Sequence, residues 1–392
     1  MHIAHFRSEF SPLSETFIYD TITELESLGV KNHVITQLRL NEQDRPVENV
    51  SVLQRPSKWA IESLFNHAKC VLRRFPRKHT TLLSARSRLR GALKEIRPDV
   101  IHAHFGNDGA LVYPVSSELS IPLVVSFHGF DLFRLSKDDY WMRQYREMFS
   151  RASAFTVVSE VMRDYLVGLG AAPSKVHLVH VGKRVQEYEY KARTSPIREW
   201  ISVGRLMQKK GFDDCIKAFG IATEGTDAVL RIIGEGPQEQ ELKSLVQELG
   251  LEHRVLFLGS LSHDKVKSAL AGADAFILCS KTSRTGDREG IPTVLMEAQF
   301  MGLPCVATRH SGIPEVIPAE SQKLLADEGD VGGLAACIRE LMQCDNDELK
   351  QIGIRGRELV EKSFDLATET NTLKEIYKSL SDGRTTTAVA DS

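Results

Sequence analysis

The residues best suited to chemistry lie in one short stretch, Glu289-Gly290-Ile291-Pro292-Thr293, with Glu297 shortly after it. Pro292 suits the first position of a helix, because its missing N–H would have no helical partner there. The next N–H groups point out of a helix N-terminus, which carries a partial positive charge and binds phosphates. Glu289 precedes this helix and Glu297 lies more than a turn inside it, so both can accept hydrogen bonds from hydroxyls. A site for two phosphates, with acceptors for a hydroxyl-rich group at each end, fits a sugar nucleotide.

The residues around this stretch resemble a known family. The Glu-x7-Glu spacing alone is a weak signal, but Asp287-Arg288 precedes it and Ala307-Thr308-Arg309-His310-Ser311-Gly312-Ile313-Pro314-Glu315 follows it. Together they are similar to the retaining glycosyltransferases of family 4, and most similar to the bacterial exopolysaccharide branch of the colanic acid and amylovoran type. The resemblance covers nearly the whole chain and is strongest over residues 199–318.

Alternating apolar runs and helical patterns predict an α/β protein with parallel sheets. The 392 residues suit two domains. Predicted strands are 2–6, 32–37, 99–103, 122–127, 153–158, 176–181, 200–204, 228–233, 254–258, 274–279 and 304–308. Predicted helices are 16–28, 57–75, 80–96, 138–150, 159–169, 212–224, 238–249, 263–271, 292–301 and 331–343.

The resemblance implies two Rossmann-like doubly wound domains (the GT-B fold), with the donor site in the cleft between them. We expect an acceptor-binding domain over 1–185 and a nucleotide-sugar-binding domain over 186–365. The segment 366–380 is expected to form a helix that crosses back to the first domain. The small, polar segment 381–392 is expected to be a disordered tail.

A pair of cations follows the strand at 200–204. Because ligands of open α/β sheets bind at the carboxyl ends of strands, Gly204, Arg205 and Lys210 are expected to face the site. In the resembling family, the matching Arg and Lys hold the donor diphosphate. The alternative is that both are ordinary surface side chains.

Two further strand ends are candidates for donor binding. Gly234 and Gly236 would let the backbone approach a ligand closely, although a tight turn explains them equally well. Ser260 and Leu261 follow the next strand, where the family binds the nucleotide base.

In the first half of the chain, His128 and Gly129 end a strand, and Asp131 follows. The family has a matching His-Gly-x-Asp, which implies that His128 contacts the donor sugar, with Gly129 and Asp131 near the acceptor. A helix-capping turn, with Asp131 as the cap, explains the same residues.

Ser14, Glu15 and Thr16 follow the first strand, in a loop that resembles the exopolysaccharide branch. We expect them to touch the acceptor, although a plain helix N-cap is an alternative. One departure from the family lies at Gly182-Lys183-Arg184, where the family usually has Gly-Val-Asp. The missing acid puts the local contacts in doubt.

No metal site is expected. His102 and His104 alternate on one strand, but a metal site usually needs further ligands, and none is convincing nearby. We therefore interpret these histidines as core or cleft residues. The sequence also has no Asp-x-Asp of the metal-dependent kind, so neither a metal nor another cofactor is expected.

Composition indicates a cytoplasmic protein. The N-terminus has no signal-peptide pattern, no apolar run is long enough to span a membrane, and the six cysteines form no framework. Net charge is −2, yet residues 54–97 hold twelve Lys/Arg against two acids. This basic segment predicts contact with an anionic membrane surface, and a solvated basic face is the alternative. Nucleic acid is not expected, because the aromatic spacing fits no nucleic-acid module.

The sequence therefore predicts a metal-independent, retaining glycosyltransferase at the inner face of the membrane. Its partners would be a nucleotide diphosphate sugar, most simply a UDP sugar, and a glycan or lipid-linked glycan acceptor. A sugar-nucleotide epimerase on the same fold is one alternative. A catalytically dead homologue that scaffolds polysaccharide assembly is the other.

Overall fold

A computed structural model describes residues 1–12, 15–53 and 78–390, without the side chains of 78–84 and 384–390. The chain divides into two compact units. The first unit contains Met1–Val157, Arg163–Gly182 and the segment from Leu366 onward, and the second contains Val158–Met162 and Lys183–Asp365. Each unit has its own parallel sheet, which confirms the prediction of two doubly wound α/β domains.

The first unit is built on a seven-stranded sheet in the order β3-β2-β1-β4-β5-β6-β7. Its strands are β1 His2–Phe10, β2 Lys31–Arg39, β3 Val50–Val52, β4 Val100–His104, β5 Leu123–Phe127, β6 Ala154–Val157 and β7 Val176–Leu178. Helices from Thr16 to Gly168 are Thr16–Ser27, Lys78–Ile96, Gly106–Leu119, Asp139–Arg151 and Glu160–Gly168, and the last helix of the chain is Leu366–Ala390.

The second unit has a six-stranded sheet in the order β10-β9-β8-β11-β12-β13. Its strands are β8 Glu199–Val203, β9 Val229–Ile233, β10 Val255–Phe257, β11 Ala275–Leu278, β12 Cys305–Thr308 and β13 Leu325–Ala326. Its helices are Phe212–Ala222, Glu239–Glu248, His263–Gly272, Thr293–Phe300, Ile313–Val316, Val331–Gln343 and Asn346–Ser363.

All strand pairings in both sheets are parallel. The strand order reverses between β1 and β4 in the first unit and between β8 and β11 in the second. The carboxyl edge at such a switch point is where doubly wound sheets bind ligands. Trp200, Phe212 and Phe219 are fully or almost fully buried and belong to the core of the second unit.

Three of these helices were not predicted from the sequence, namely Gly106–Leu119, Ile313–Val316 and Asn346–Ser363. Helix Gly106–Leu119 contains Pro114 and two glycines, Gly106 and Gly109, which argue against a helix locally. Gly109 is required there because an added Cβ would lie 2.6 Å from Val125 Cγ1 on the sheet. Helix Asn346–Ser363 begins with a capping box between Asp345 and Glu348, a signal that could have located it.

Predictions for the remaining segments have mixed outcomes. The predicted helix at 57–75 lies outside the described residues. The last helix continues to Ala390, so residues 381–390 are helical where a disordered tail was predicted. No proline interrupts this segment, and Gly383 alone costs a helix only about 1 kcal/mol. Within the described part of the chain, we find no helix of sufficient length and apolar character to cross a membrane.

A group of buried histidines lies under the carboxyl edge of the first sheet. His5 of β1 pairs in register with His102 of β4, and His104 follows on the same strand. His5 Nδ1 lies 3.1 Å from His104 Nε2, and His5 Nε2 lies 3.1 Å from Asn32 Oδ1. The Asn32 amide nitrogen donates to two backbone carbonyls, which orients its oxygen toward His5. His5 therefore donates from Nε2 and accepts at Nδ1.

These three histidines could also hold a metal ion, since one ring nitrogen from each lies within 4.8 Å of the others. Hydrogen bonds, however, account for both ring nitrogens of His5 and of His102, which contacts the Tyr377 hydroxyl and Ser126 Oγ at 2.5 and 2.6 Å. The group is therefore consistent with a hydrogen-bonded core.

Burial keeps this group neutral. It lowers the pKa of His5 to about 4, against a smaller opposite effect of the Asn32 hydrogen bond. It also lowers the pKa values of His102 and His104 well below the usual value of 6.5. Between pH 6.5 and about 4 the unfolded chain thus binds protons that the folded chain does not.

We predict that the free energy of unfolding falls as pH drops from 6.5 toward 4, because protons then favour the unfolded state. His5→Gln should make this dependence shallower by about 1.4 kcal/mol per pH unit. Urea unfolding at several pH values measures both effects, with His253→Gln, an exposed histidine of the second unit, as the control. An unfolding free energy that is equal at both ends of this range would contradict the prediction.

Candidate functional site

The loops after β8, β9 and β10 are joined by backbone hydrogen bonds at the carboxyl edge of the second sheet. Gly204 N–H donates to Ile233 O, and Gly234 N–H donates to Gly259 O, at 2.9 and 2.8 Å. An added Cβ at Gly234 would lie 1.9 Å from Gly204 O, and one at Gly236 would lie 2.4 Å from Leu206 O. Packing between loops therefore explains both glycines, and their contact with a donor stays a prediction.

Two lysines and two carboxylates converge beside Gly204. The aliphatic chain of Lys210 lies over Gly204, where an added Cβ would be 3.3 Å from Lys210 Cδ. Lys210 Nζ lies 3.2 Å from Glu289 Oε1. Lys209 Nζ lies 3.3 Å from Asp287 Oδ2 and 4.0 Å from Glu289 Oε1. The structure thus brings together Lys210 and Glu289, which the sequence placed 79 positions apart.

Glu289 is a buried but ionised carboxylate. Only 8% of the residue is exposed, and burial alone would raise its pKa. The charges of Lys210 and Lys209 outweigh burial and hold the pKa of Glu289 below its usual value. Among the described residues, none donates a well-aligned hydrogen bond to Glu289 Oε1. This oxygen can therefore accept a hydrogen bond from a ligand hydroxyl.

The backbone of Glu289 is held by the loop after β12. Its N–H donates to His310 Nε2 at 3.1 Å, and Ser311 Oγ donates to its carbonyl at 2.7 Å. Burial lowers the pKa of His310 despite the adjacent Glu328. Neutral His310 then carries its proton on Nδ1 and donates it to Glu328 Oε1 at 2.6 Å. The sequence had assigned no role to His310 or Glu328.

The helix after Glu289 begins at Thr293, and Pro292 is its N-cap instead of its first helical residue. No side chain caps this helix, and Leu295 N–H donates to Pro292 O at 3.1 Å, so the N–H groups of Thr293 and Val294 are the ones left for another acceptor. Gly290 and Ile291 are buried against Gly312, whose N–H donates to Gly290 O at 3.2 Å. An added Cβ at Gly312 would lie 2.6 Å from Ile291 Cγ1, so this position requires glycine.

Glu297 forms a buried ion pair that the sequence did not predict. Its Oε1 lies 2.9 Å from Lys183 Nζ, and both residues are at most 6% exposed. Lys183 is one of the two residues at which the chain departs from the family pattern, and the missing acid itself falls at Arg184.

The other predicted donor residues of this unit lie near the surface. Arg205 is exposed at the end of β8. Ser260 is exposed, and its N–H donates to Glu235 Oε1 at 3.2 Å, while Leu261 is half-buried. Within the described part of the chain, no hydrogen bond or ion pair links these three residues to the group of Lys209, Lys210, Asp287 and Glu289.

In the first unit, Asp131 organises the loop that carries His128. Its carboxylate accepts the N–H groups of Gly106, His128 and Gly129 at 2.7, 3.0 and 3.1 Å. Burial raises the pKa of Asp131 to about 6 against these hydrogen bonds. Asp131 is 0% exposed, which argues against direct contact with an acceptor. It is also not the N-cap that the alternative expected, because it lies inside the short helix Phe130–Arg134, whose N-cap is Gly129.

His128 presents unsatisfied polar atoms in this loop. Its ring lies 4.7 Å from the rings of both Phe17 and Phe105, measured between centroids. Neither ring nitrogen has a hydrogen-bond partner among the described residues, although both are buried. Burial lowers the pKa of His128 to about 3, so the ring is neutral and offers one donor and one acceptor. Gly129 has φ +127°, a conformation that favours glycine.

The predicted acceptor loop is bound to a cation that the sequence did not single out. Glu15 lies at the N-cap of the helix that starts at Thr16, but its side chain does not cap it. It accepts two hydrogen bonds from Arg7, at 2.9 and 3.0 Å, and Arg7 also pairs with Asp108 at 2.9 Å. Arg7 and Asp108 lie near the carboxyl ends of β1 and β4, and this position could have identified them as candidate site residues from the sequence. Ser14 lies outside the described residues.

Comparisons with known proteins agree with the geometry of both units. The family model "Glycosyltransferase Family 4" matches residues 14–185, and the model "Glycosyl transferases group 1" matches residues 189–359. The amylovoran biosynthesis glycosyltransferase AmsK of Erwinia amylovora is 33% identical over 73% of this chain and 72% of its own length. The provisionally named colanic acid biosynthesis glycosyltransferase WcaL of Escherichia coli K12 is 29% identical over 97% of this chain and its whole length.

Solved structures extend the comparison to the fold. HepE of Anabaena, in a crystal structure with UDP and glucose, matches with a TM-score of 0.75 and 18% identity, over 97% of this chain and 100% of that one. At this identity the likeness concerns the fold, which is the two-domain GT-B fold. The chain therefore belongs to glycosyltransferase family 4, has the GT-B fold, and groups with the exopolysaccharide glycosyltransferases of the colanic acid and amylovoran type.

Proposed function

We propose that this glycosyltransferase of exopolysaccharide biosynthesis moves a sugar from a nucleotide diphosphate sugar to a hydroxyl of a surface-polysaccharide precursor. The observation that carries the proposal is the buried, ionised Glu289 beside Lys210 and Lys209 at the switch point of the second sheet. Glu289 Oε1 pairs with the lysines but has no aligned hydrogen-bond donor among the described residues, which suits a sugar hydroxyl. The adjacent cations and the uncapped helix suit a diphosphate.

A UDP sugar is the proposed donor. HepE, which shares the fold, was crystallised with UDP and glucose, and this supports the choice of nucleotide by analogy alone. Ser260 and Leu261 are proposed to contact the base and Glu297 the ribose. Because the base contacts of the family are largely made by the backbone, exposure of the loop after β10 is compatible with this role.

The difficult step is departure of the diphosphate. The bond between the anomeric carbon and the phosphate oxygen breaks, and negative charge grows on the leaving group. Lys210, Arg205 and the N–H groups at Gly290–Thr293 are proposed to stabilise that charge, since preorganised donors usually supply the largest catalytic contribution. The Glu289–Lys210 pair keeps the lysine in place before the donor binds.

The configuration of the sugar is proposed to be retained. The acceptor oxygen would bond to the anomeric carbon from the face that the phosphate leaves, and its proton would pass to the departing phosphate oxygen. Glu289 and His128 are then proposed to orient the donor sugar. Among the described residues, no aligned donor reaches Glu289 Oε1 beside its ion pair, and neither ring nitrogen of His128 has a hydrogen-bond partner.

Removing a cation of the diphosphate site should slow the chemical step. We predict that Lys210→Ala, and separately Arg205→Ala, lowers kcat by roughly 10²-fold or more, the scale for one preorganised donor. Release of UDP from a panel of UDP sugars, with and without a glycan acceptor, measures the effect. Lys350→Ala, an exposed lysine of the second unit, is the matched control. Near-normal turnover in both variants would contradict the assignment.

Catalysis is proposed to need no metal ion, since Lys210 and Arg205 supply positive charge to the leaving group. We predict that UDP release continues at an unchanged rate after dialysis against EDTA. Loss of turnover in EDTA that Mn²⁺ or Mg²⁺ restores would refute this proposal. Metal analysis of the dialysed protein additionally tests the group formed by His5, His102 and His104.

The acceptor is proposed to be a polyprenyl-diphosphate-linked glycan at the cytoplasmic face of the membrane, reached through the basic segment 54–97. Two of the twelve cations of this segment are already engaged in the first unit. Arg86 donates to backbone carbonyls of helix Gly106–Leu119, and Arg90 pairs with Glu118 at 2.6 Å. Residues 54–77 lie outside the described residues.

We predict that the protein co-sediments with anionic liposomes at low salt, but not with neutral ones, because each Lys or Arg near an anionic surface contributes about 1 kcal/mol. Reversing Arg73, Arg74 and Arg77 to Glu should abolish sedimentation and spare donor hydrolysis. Reversing the exposed Lys265 and Lys350 to Glu is the control. Failure of the wild-type protein to co-sediment with anionic liposomes would refute membrane contact by this segment.

A further inference from the structure

The ion pair between Lys183 and Glu297 carries an inference that rests on the proposed function and refines it. Lys183 is 6% exposed and Glu297 is 5% exposed, and their charged atoms lie 2.9 Å apart. Burying two charges is costly unless the pair is well placed and further polar groups satisfy it. The Lys183 ammonium has three N–H donors, and Glu297 is the only ion-pair partner it has among the described residues.

The backbone on the lysine side of this pair is fixed. Lys183 is the first residue of the second unit's main segment, and its N–H donates to Phe364 O at 2.9 Å. It also forms a parallel β-bridge with Asp365, the last residue of that segment. The backbone that carries the Lys183 ammonium is therefore held in place by Phe364 and Asp365, at the other end of the same segment.

The backbone on the glutamate side is fixed as well. Glu297 lies in helix Thr293–Phe300, and the ring of Phe300 stacks on that of Tyr188 with centroids 5.4 Å apart. Arg357 donates from Nη1 to the carbonyls of both Tyr188 and Phe300, at 2.9 and 2.5 Å. The pair is therefore held in a defined geometry from both sides.

We propose that Lys183 is a positioning residue for nucleoside recognition. By holding Glu297 at Oε1, it aims the rest of the carboxylate at the vicinal 2′- and 3′-hydroxyls of the donor ribose. A carboxylate held in this way acts as an acceptor for both hydroxyls, and so it distinguishes a ribonucleotide from a 2′-deoxyribonucleotide. Without the ammonium, the buried carboxylate turns toward other donors and loses this alignment.

The test compares the binding of UDP and 2′-deoxyuridine diphosphate by calorimetry, with GDP and its 2′-deoxy form in parallel. We expect the wild type to prefer the ribonucleotide by roughly tenfold or more, the value of one hydrogen bond to a charged group. Lys183→Met should weaken binding of the ribonucleotide by a similar factor and change binding of the deoxynucleotide little. Lys183→Arg, which keeps the cation, should retain the preference.

Glu297→Gln provides the second arm of the test. If Lys183 acts through Glu297, adding Lys183→Met to Glu297→Gln should weaken ribonucleotide binding no further. The double variant leaves no unpaired buried charge. If Lys183→Met alone does not fold, nucleotide binding can still be compared between Glu297→Gln and the double variant. Melting temperatures of all variants show which ones are folded.

Other results would overturn the inference. Equal losses of both nucleotides in Lys183→Met would show a merely structural role, and unchanged binding would show none. A wild type that binds both nucleotides equally would refute the inference and leave the proposed function standing. A wild type that binds neither UDP nor GDP would instead refute the proposed donor class, and the inference with it.

Discussion

A buried negative charge at Glu289 is the constraint on which the second unit's site depends. Burial opposes ionisation of this carboxylate, and Lys210 and Lys209 overcome that opposition. Since a buried charge without a partner is strongly destabilising, the lysines and the carboxylate must be positioned together. The same arrangement leaves cations beside the sheet edge, where a phosphate can bind, and one carboxylate oxygen without an aligned donor. Stability and the proposed chemistry therefore depend on the same contact.

Close approach between loops makes this contact possible. Gly211 has φ +62°, and an added Cβ there would lie 1.8 Å from Cys279 O, so the loop that carries the lysines presses directly on the loop after β11. Gly312 brings the loop after β12 against Gly290 in a similar way. A side chain at either position would clash with the neighbouring loop, so the close approach of these loops requires glycine. Doubly wound sheets bind ligands at their switch points, and here the close packing of loops places charges at that point.

At the equivalent edge of its sheet, the first unit contains buried histidines instead of paired charges. Its histidines are buried and neutral, and the structure satisfies His5 and His102 by hydrogen bonds within the core. The ring nitrogens of His128 are also buried, yet they have no partner among the described residues. A polar group in this state is costly unless a ligand or water completes it. The contrast separates histidines whose hydrogen bonds support the fold from His128, whose ring nitrogens the described residues leave without a partner.

The sequence alone determined the fold class, the family and the positions of Arg205, Lys210 and Glu289 at strand ends or before a helix. These features depend on local periodicity and on motifs within a few residues, which can be recognised without a structure. Tertiary structure alone decided which charges meet. Lys183 pairs with Glu297, and Arg7 pairs with Asp108, over separations of about a hundred residues, where no local pattern indicates a partner. Helix Gly106–Leu119 was missed for the same reason, because packing against the sheet overrides the low helix propensity of its glycines and proline.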